Sequence, residues 1–335
     1  MSKIQKIFTT LARGKDRALS IVNGIIGDTF EKKKSSFAIQ MEFFAEGKPP
    51  DGKPLLLTKT ALAKMNLPQT GKISILTHGN CASQTSWGFK GNPSKNYGLL
   101  LQKDAGFTPF FVRYNSGLHI STNGKRFSDL LEKLVRFYPV EVTDIVLIGH
   151  SMGGLIYRSA CHYGEKEKKK WVKLTKKIFY LGSPHLGTHF EKFGKLTTTI
   201  LSQIPNLTTK VLAKLIDLRS DGIKDMRHGY ITDDDWQHDH AEKLFYLHQN
   251  KTPLFQGADH YLICSTLAKK ANSKMGRFFG DGLVHPGSGT GQGLFSGSNI
   301  PFLKHHCKIF SGLSHHNLQK SPRVYRQILA WCEGC

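Results

Sequence analysis

From Lys72 onward, short runs of β-branched and aromatic residues alternate with longer stretches whose apolar residues recur every three or four positions. That alternation predicts a parallel sheet with crossover helices. Residues 73–77 read as a buried strand ending in His78-Gly79, residues 96–105 as a helix, and residues 107–114 as the next strand. Leu130, Leu131, Leu134, Val135 and Tyr138 give helical spacing over residues 128–138. The unbroken apolar run Ile145-Val146-Leu147-Ile148 predicts a strand covered on both faces, with a helix over residues 155–163 and a strand over 178–181. Regularity then breaks. Residues 188–255 read as helical and of mixed polarity, with Leu201, Ile204, Leu212, Leu215 and Ile216 and an acidic patch at Asp233-Asp234-Asp235. Strand character returns at residues 261–267 and 307–310, and an amphipathic helix over residues 322–332 closes the chain. The expected fold class is α/β: a mostly parallel central sheet flanked by helices, spanning residues 72–335, with residues 188–255 as a helical cap. Residues 1–71 are expected to form an N-terminal layer packed on that core.

Candidate chemistry centres on Gly149-His150-Ser151-Met152-Gly153-Gly154. A Gly-x-Ser-x-Gly pentapeptide is a weak signal alone. Here it joins a buried strand directly to the helical run Leu155-Ile156-Tyr157, and placement gives it meaning. A sharp strand-to-helix turn forces the serine into strained φ/ψ, needs small flanking residues, and projects Oγ at the C-terminal edge of the sheet over a helix N-terminus. Ser151 is therefore the expected nucleophile. A hydroxyl needs a base, and the base an orienting acid, in the chain order Ser, acid, His. Asp281, in a tight Gly280-Asp281-Gly282 turn beyond the strand at 261–267, is the expected acid, with Glu191 as the alternative. Asp259 precedes its strand and falls at the wrong edge, as do His305 and His306. The base is expected between the last strand and last helix, where His315 and His316 both stand; spacing leaves the two open. Two backbone amides should face the oxyanion: that of Met152, directly after the nucleophile, and that of Asn80 in the His78-Gly79-Asn80 loop, with Cys81 next to it. His78 is expected to shape this loop.

Charge and cysteines add less. Lys plus Arg total 47 against 25 Asp plus Glu, a net charge of +22 and a pI near 9.7. Such a field attracts polyanions, and peripheral contact with an anionic membrane or lipid is a partner it suits. No zinc-ligand spacing or RNA-binding aromatic motif accompanies it, so no specific nucleic-acid function is expected. The six cysteines are scattered, and Cys332 and Cys335 lie after a helical pattern, where a redox motif does not sit. Reduced thiols are expected. The basic N-terminus lacks the apolar centre of a secretory signal, and no run approaches the length of a membrane span, so a cytoplasmic protein is expected.

Several stretches in order resemble bacterial esterase/lipase-like α/β-hydrolases related to the PGAP1-like (GPI inositol-deacylase-like) and triacylglycerol-lipase families. They are Thr77-His78-Gly79 with Trp87 downstream, Gly149-His150-Ser151-Met152-Gly153-Gly154, and Leu181-Gly182-Ser183-Pro184-His185-Leu186-Gly187. Gly280-Asp281-Gly282-Leu283-Val284 and Ser314-His315 with Pro322-Arg323-Val324-Tyr325 complete the set. Val22-Asn23-Gly24-Ile25-Ile26-Gly27-Asp28 is similar to the N-terminal segment of such proteins. The resemblance implies the α/β-hydrolase fold, with Ser151 as nucleophile, Asp281 as acid and His315 as base, the last from its register about ten residues before Tyr325. It implies that His185 is buried and hydrogen-bonded in a structural turn. Asn80 stands where similar lipases carry an apolar residue, which leaves the pocket more polar there. The expected activity is cleavage of a carboxylic, lipid-like ester through an acyl-enzyme, with no cofactor or metal. The alternatives are thioester, amide or acyl-transfer chemistry on the same triad, or a non-catalytic binder of an anionic lipid or partner.

Overall fold

The computed structural model describes residues 16–45, 52–92, 94–187, 219–237, 252–269, 281, 284, 286–289, 291 and 300–334. Among these, seven strands form one sheet: β1 (Glu42–Phe44), β2 (Lys72–Thr77), β3 (Thr108–Arg113), β4 (Asp144–His150), β5 (Thr175–Leu181), β6 (Asp259–Thr266) and β7 (Cys307–Ser311). Their order is β1-β3-β2-β4-β5-β6-β7. Every pairing is parallel except that of β1 with β3, where Phe43 faces Val112. This is the expected α/β-hydrolase arrangement. The helices used below are α1 (Asp16–Lys32), α2 (Tyr97–Ala105), α3 (Ile120–Phe137), α4 (Met152–Lys166), α5 (Asp221–His228), α6 (Asp233–Gln237) and α7 (Pro322–Glu333).

Period-two alternation distributes each strand's side chains over two apolar layers. Ile73 and Ile75 of β2 and Ile145 and Leu147 of β4 join Phe127, Leu131 and Leu134 of α3 and Tyr157 of α4 in one cluster. Leu76, Val146 and Ile148 turn the other way, toward Tyr97 and Leu101 of α2 and Val324, Ile328 and Trp331 of α7. Burying each such aliphatic or aromatic side chain contributes about 1.5–3 kcal/mol, so the double-sided strands hold the sheet edge rigid. Helix α3 starts at Ile120, well before the apolar spacing begins. Its first turns carry buried Ser121, Asn123 and Gly124, and a Cβ on Gly124 would lie 2.2 Å from Ser159 Oγ of α4. Close helix packing overrides the weak helix propensity of those residues.

Before Lys72, Glu42–Phe44 enters the sheet itself as its edge strand, and α1 lies against loops at the C-terminal ends of the strands. Of residues 188–255 the structure describes 219–237 and 252–255, and these include α5 and α6 between β5 and β6.

Candidate active site

Six loops leave the parallel strands at one edge of the sheet. The crevice outside these strand ends is where open α/β folds place their ligands. Ser151 occupies the junction of β4 and α4 with φ 54° and ψ −121°, a conformation that costs a non-glycine residue about 1–3 kcal/mol. Its neighbours have no room for side chains: a Cβ on Gly149 would lie 2.5 Å from Gly154 N, and one on Gly153 2.4 Å from Thr77 O. The Ser151 amide donates to Leu181 O at 2.8 Å, which ties the turn to β5. Met152 opens α4, so its N–H has no acceptor within the helix.

Asp281 and His315, 34 residues apart, meet here. His315 Nδ1–H donates to Asp281 Oδ2 at 2.7 Å, and the His315 amide donates to Asp281 O at 3.1 Å. The other carboxylate oxygen, Oδ1, accepts from the Val284 amide at 2.8 Å. Both residues are buried. With Nδ1 carrying the proton, Nε2 is left as the basic nitrogen; it is shielded from solvent and has no hydrogen-bond partner among the described residues. The His315 ring packs over His150 at 4.7 Å between centroids and lies 3.0 Å from where a Cβ on Gly182 would stand. His150 and Gly182 flank Ser151 and its amide's acceptor, so the imidazole is held at the serine turn. No hydrogen bond joins the Ser151 side chain to His315. Catalytic hydrogen bonds are often long before substrate arrives.

The loop after β2 approaches from the other side. A Cβ on Gly79 would lie 2.9 Å from Ser151 Cβ. Beyond it, Asn80 N–H has no acceptor among the described residues, whereas Cys81 N–H donates to Ser116 Oγ at 3.1 Å. Of the two neighbouring amides, that of Asn80 is therefore the one free to face the site. His78 is buried, stacks on Tyr114 at 4.4 Å, and has its pKa pushed down by burial to about 4. It is a neutral ring within the loop.

The remaining candidates lie elsewhere. His316 is exposed, with its ring toward Gln319 and Lys320. Glu191 falls outside the described residues. Asp259 begins β6, and His305 and His306 precede β7, all at the opposite edge. Asp233 pairs with Lys125. His185 is buried as expected, but among the described residues neither ring nitrogen has a hydrogen-bond partner. The ring packs edge-on to Tyr180 at 4.8 Å and against Phe302 at 5.0 Å. Aromatic packing surrounds the ring, and burial drives its pKa well below the ordinary value, which keeps it neutral.

Sequence reasoning gave no role to His150. Its Nε2 lies 3.0 Å from His315 O, and burial followed by the nearby His315 pushes its pKa well down, so it is a neutral donor to that carbonyl. Adjacency to Ser151 was the available signal.

Fold and serine turn together define an α/β-hydrolase. The chain belongs to the PGAP1-like alpha/beta domain family, whose model matches residues 69–274. Among solved structures it is similar to the lipase BlEst2 of Bacillus licheniformis in mature form, with TM-score 0.50 and 15% identity over 79% of this chain and 95% of that one. The propeptide form gives the same TM-score and identity over 79% of this chain and 52% of the other. The naproxen esterase (carboxylesterase NP) of Bacillus subtilis gives TM-score 0.46 and 13% identity over 79% and 85% of the two chains. At these identities the likeness is one of fold. No curated protein matches the chain.

Proposed function

We propose that this protein is a serine hydrolase that cleaves carboxylic esters through an acyl-enzyme. The observation that carries this reading is Ser151, held at φ 54° on the β4–α4 turn, with the buried Asp281–His315 pair converging on the same turn. His315 Nε2 removes the Ser151 hydroxyl proton as Oγ attacks the ester carbonyl, and returns it to the departing alcohol oxygen. Asp281 keeps Nδ1 protonated and stabilises the imidazolium that forms between those steps. Water then attacks the acyl-enzyme with His315 again as base, releasing the acid and restoring the hydroxyl. The Met152 and Asn80 amides bind the oxygen that becomes negative in each tetrahedral intermediate; a donor of this kind is worth ~2.7–4 kcal/mol.

The name lipase borne by the similar Bacillus licheniformis structures supports an ester substrate. The net charge of +22 suits an ester presented at an anionic lipid surface. No helix among the described residues is long and apolar enough to cross a membrane. The test is labelling by a fluorophosphonate probe together with turnover of short-chain nitrophenyl esters. The expected result is a single adduct on Ser151 and loss of both signals in Ser151→Ala; a folded wild-type chain that takes no probe and turns over no ester refutes the reading.

A further inference from the structure

Helix α1 lies outside the residues that match the family model, yet it is built into this site. Its buried face runs from Ser20 to Gly27, and its helical geometry breaks at Ile26, with φ −137° and ψ 20°. At Gly24 the helix backbone touches the loop after β2: a Cβ there would lie 2.4 Å from Cys81 Sγ, 2.9 Å from Cys81 N and 3.0 Å from Asn80 Oδ1. The approach is fixed from three sides. Ser220 Oγ donates to Gly24 O at 2.7 Å, and Asn115 Nδ2 donates to Gly27 O at 2.9 Å. Gly117 abuts the α1 backbone so closely that a Cβ on it would lie 2.2 Å from Asn23 O.

What α1 presses on is a strained segment. Cys81 has φ 57°, a left-handed conformation that non-glycine residues avoid, and its N–H is held by Ser116 Oγ. The same short loop begins at Gly79, in contact with Ser151, and carries the Asn80 amide between these two fixed points. The orientation of that amide therefore depends on how Cys81 is clamped, and the clamp is Gly24 on one side and Ser116 on the other.

We propose that Gly24 is a positioning residue for the reaction: through Cys81 it aims the Asn80 amide at the oxyanion. This rests on the serine-hydrolase reading above. A side chain at Gly24 must displace the Cys81 backbone, and a shift of about 1 Å in a donor of this kind is enough for ~100-fold in rate. The experiment compares full-length wild type, Gly24→Ala, Ser116→Ala and Gly24→Ala/Cys81→Gly by nitrophenyl ester kinetics, fluorophosphonate labelling rate and thermal midpoint. The double variant removes the thiol and lets residue 81 adopt positive φ without strain.

The expected result is a kcat and a labelling rate lowered about 10–100-fold in Gly24→Ala, with KM within about threefold, and most of both recovered in the double variant. Ser116→Ala, which adds no volume, should lose about 3–30-fold in kcat and so carries the test if Gly24→Ala does not fold. A labelled wild type alongside folded Gly24→Ala and Ser116→Ala variants with wild-type kcat overturns the proposal and leaves the hydrolase reading standing. So does a rate defect in folded Gly24→Ala that Cys81→Gly does not recover. A wild type that takes no probe at Ser151 overturns both.

Discussion

Replacing Asp281 by Asn isolates the carboxylate charge while preserving shape. The Val284 amide bond to Oδ1 can be kept by the Asn carbonyl oxygen, so the turn stays anchored. What changes is the 2.7 Å contact to His315 Nδ1. Two losses follow. The imidazolium formed during attack loses a buried negative partner; at ~4 Å between charge centres and an effective dielectric near 20, that is about 4 kcal/mol, or roughly 10³ in rate. An Asn oriented with its NH2 toward Nδ1 also favours the tautomer protonated on Nε2, which cannot accept the Ser151 proton, and the two losses together reach about 10⁴. The assay is kcat on a short-chain nitrophenyl ester, with KM and the thermal midpoint as controls. The expected outcome is a fall in kcat of about 10³–10⁴ with KM within about threefold. A folded Asp281→Asn variant that loses less than about tenfold refutes the reasoning, and a matching collapse in Glu191→Gln would name the acid instead.

Three further outcomes are expected. His315→Ala should abolish turnover, by about 10⁴ or more, while His316→Ala stays within about threefold; the reverse pattern in steady-state kinetics would transfer the base to His316. Asn80→Ala should keep kcat within about threefold, since the main-chain amide is retained; a 100-fold loss would show that the side chain does the work. His119 joins the start of α3 to α5 and α6, with Nδ1 3.1 Å from Asp225, Nε2 3.5 Å from Asp221 and its ring stacked on Trp236 at 3.9 Å. Burial lowers its pKa, but the hydrogen bond and charge of Asp225 and the charge of Asp221 outweigh that and raise it, against Lys224. A raised histidine pKa contributes stability that is complete below about pH 6.5 and lost as pH rises through the folded value. The thermal midpoint gap between wild type and His119→Gln should therefore narrow between about pH 5 and pH 9; a constant gap would contradict it.

The central strands from Lys72 onward were legible because they are apolar runs covered on both faces, as Ile145-Val146-Leu147-Ile148 is by the α3–α4 and α2–α7 layers. Helix α1 was not. Its buried residues Ile21, Val22, Ile25, Ile26 and Phe30 do recur at helical spacing, but Ser20, Asn23, Gly24 and Gly27, buried for close backbone approach, are interleaved with them and blur the apolar stripe. Strand β1 is three residues long, too short for alternation to register. At the site, local order was readable and partner choice was not. His315 and His316 share one turn, and only the distant Asp281 and His150 separate them. Asn80 and Cys81 are separated by Ser116, 35 residues beyond Cys81, whose hydroxyl takes one amide and leaves the other.

Two of the four described non-glycine residues with positive φ, Ser151 and Cys81, lie in two turns that meet at Gly79, where a Cβ would stand 2.9 Å from Ser151 Cβ. Each costs about 1–3 kcal/mol, a sizeable share of a net stability of roughly 5–15 kcal/mol, so neither would persist without surroundings that over-determine it. For Ser151 those surroundings are close at hand in sequence: Gly149, Gly153 and the β4–α4 junction. For Cys81 they come from afar, from Gly24 in α1 and from Ser116 after β3. The two halves of the site thus differ in how they depend on the rest of the chain. The Ser151 turn is specified within the family's matched segment, while the Gly79–Cys81 loop beside it is clamped by a helix before that segment. Substitutions at Gly24 and Gly27 should consequently act on rate before they act on the sheet, because these positions press on the loops after β2 and β3 that line the site.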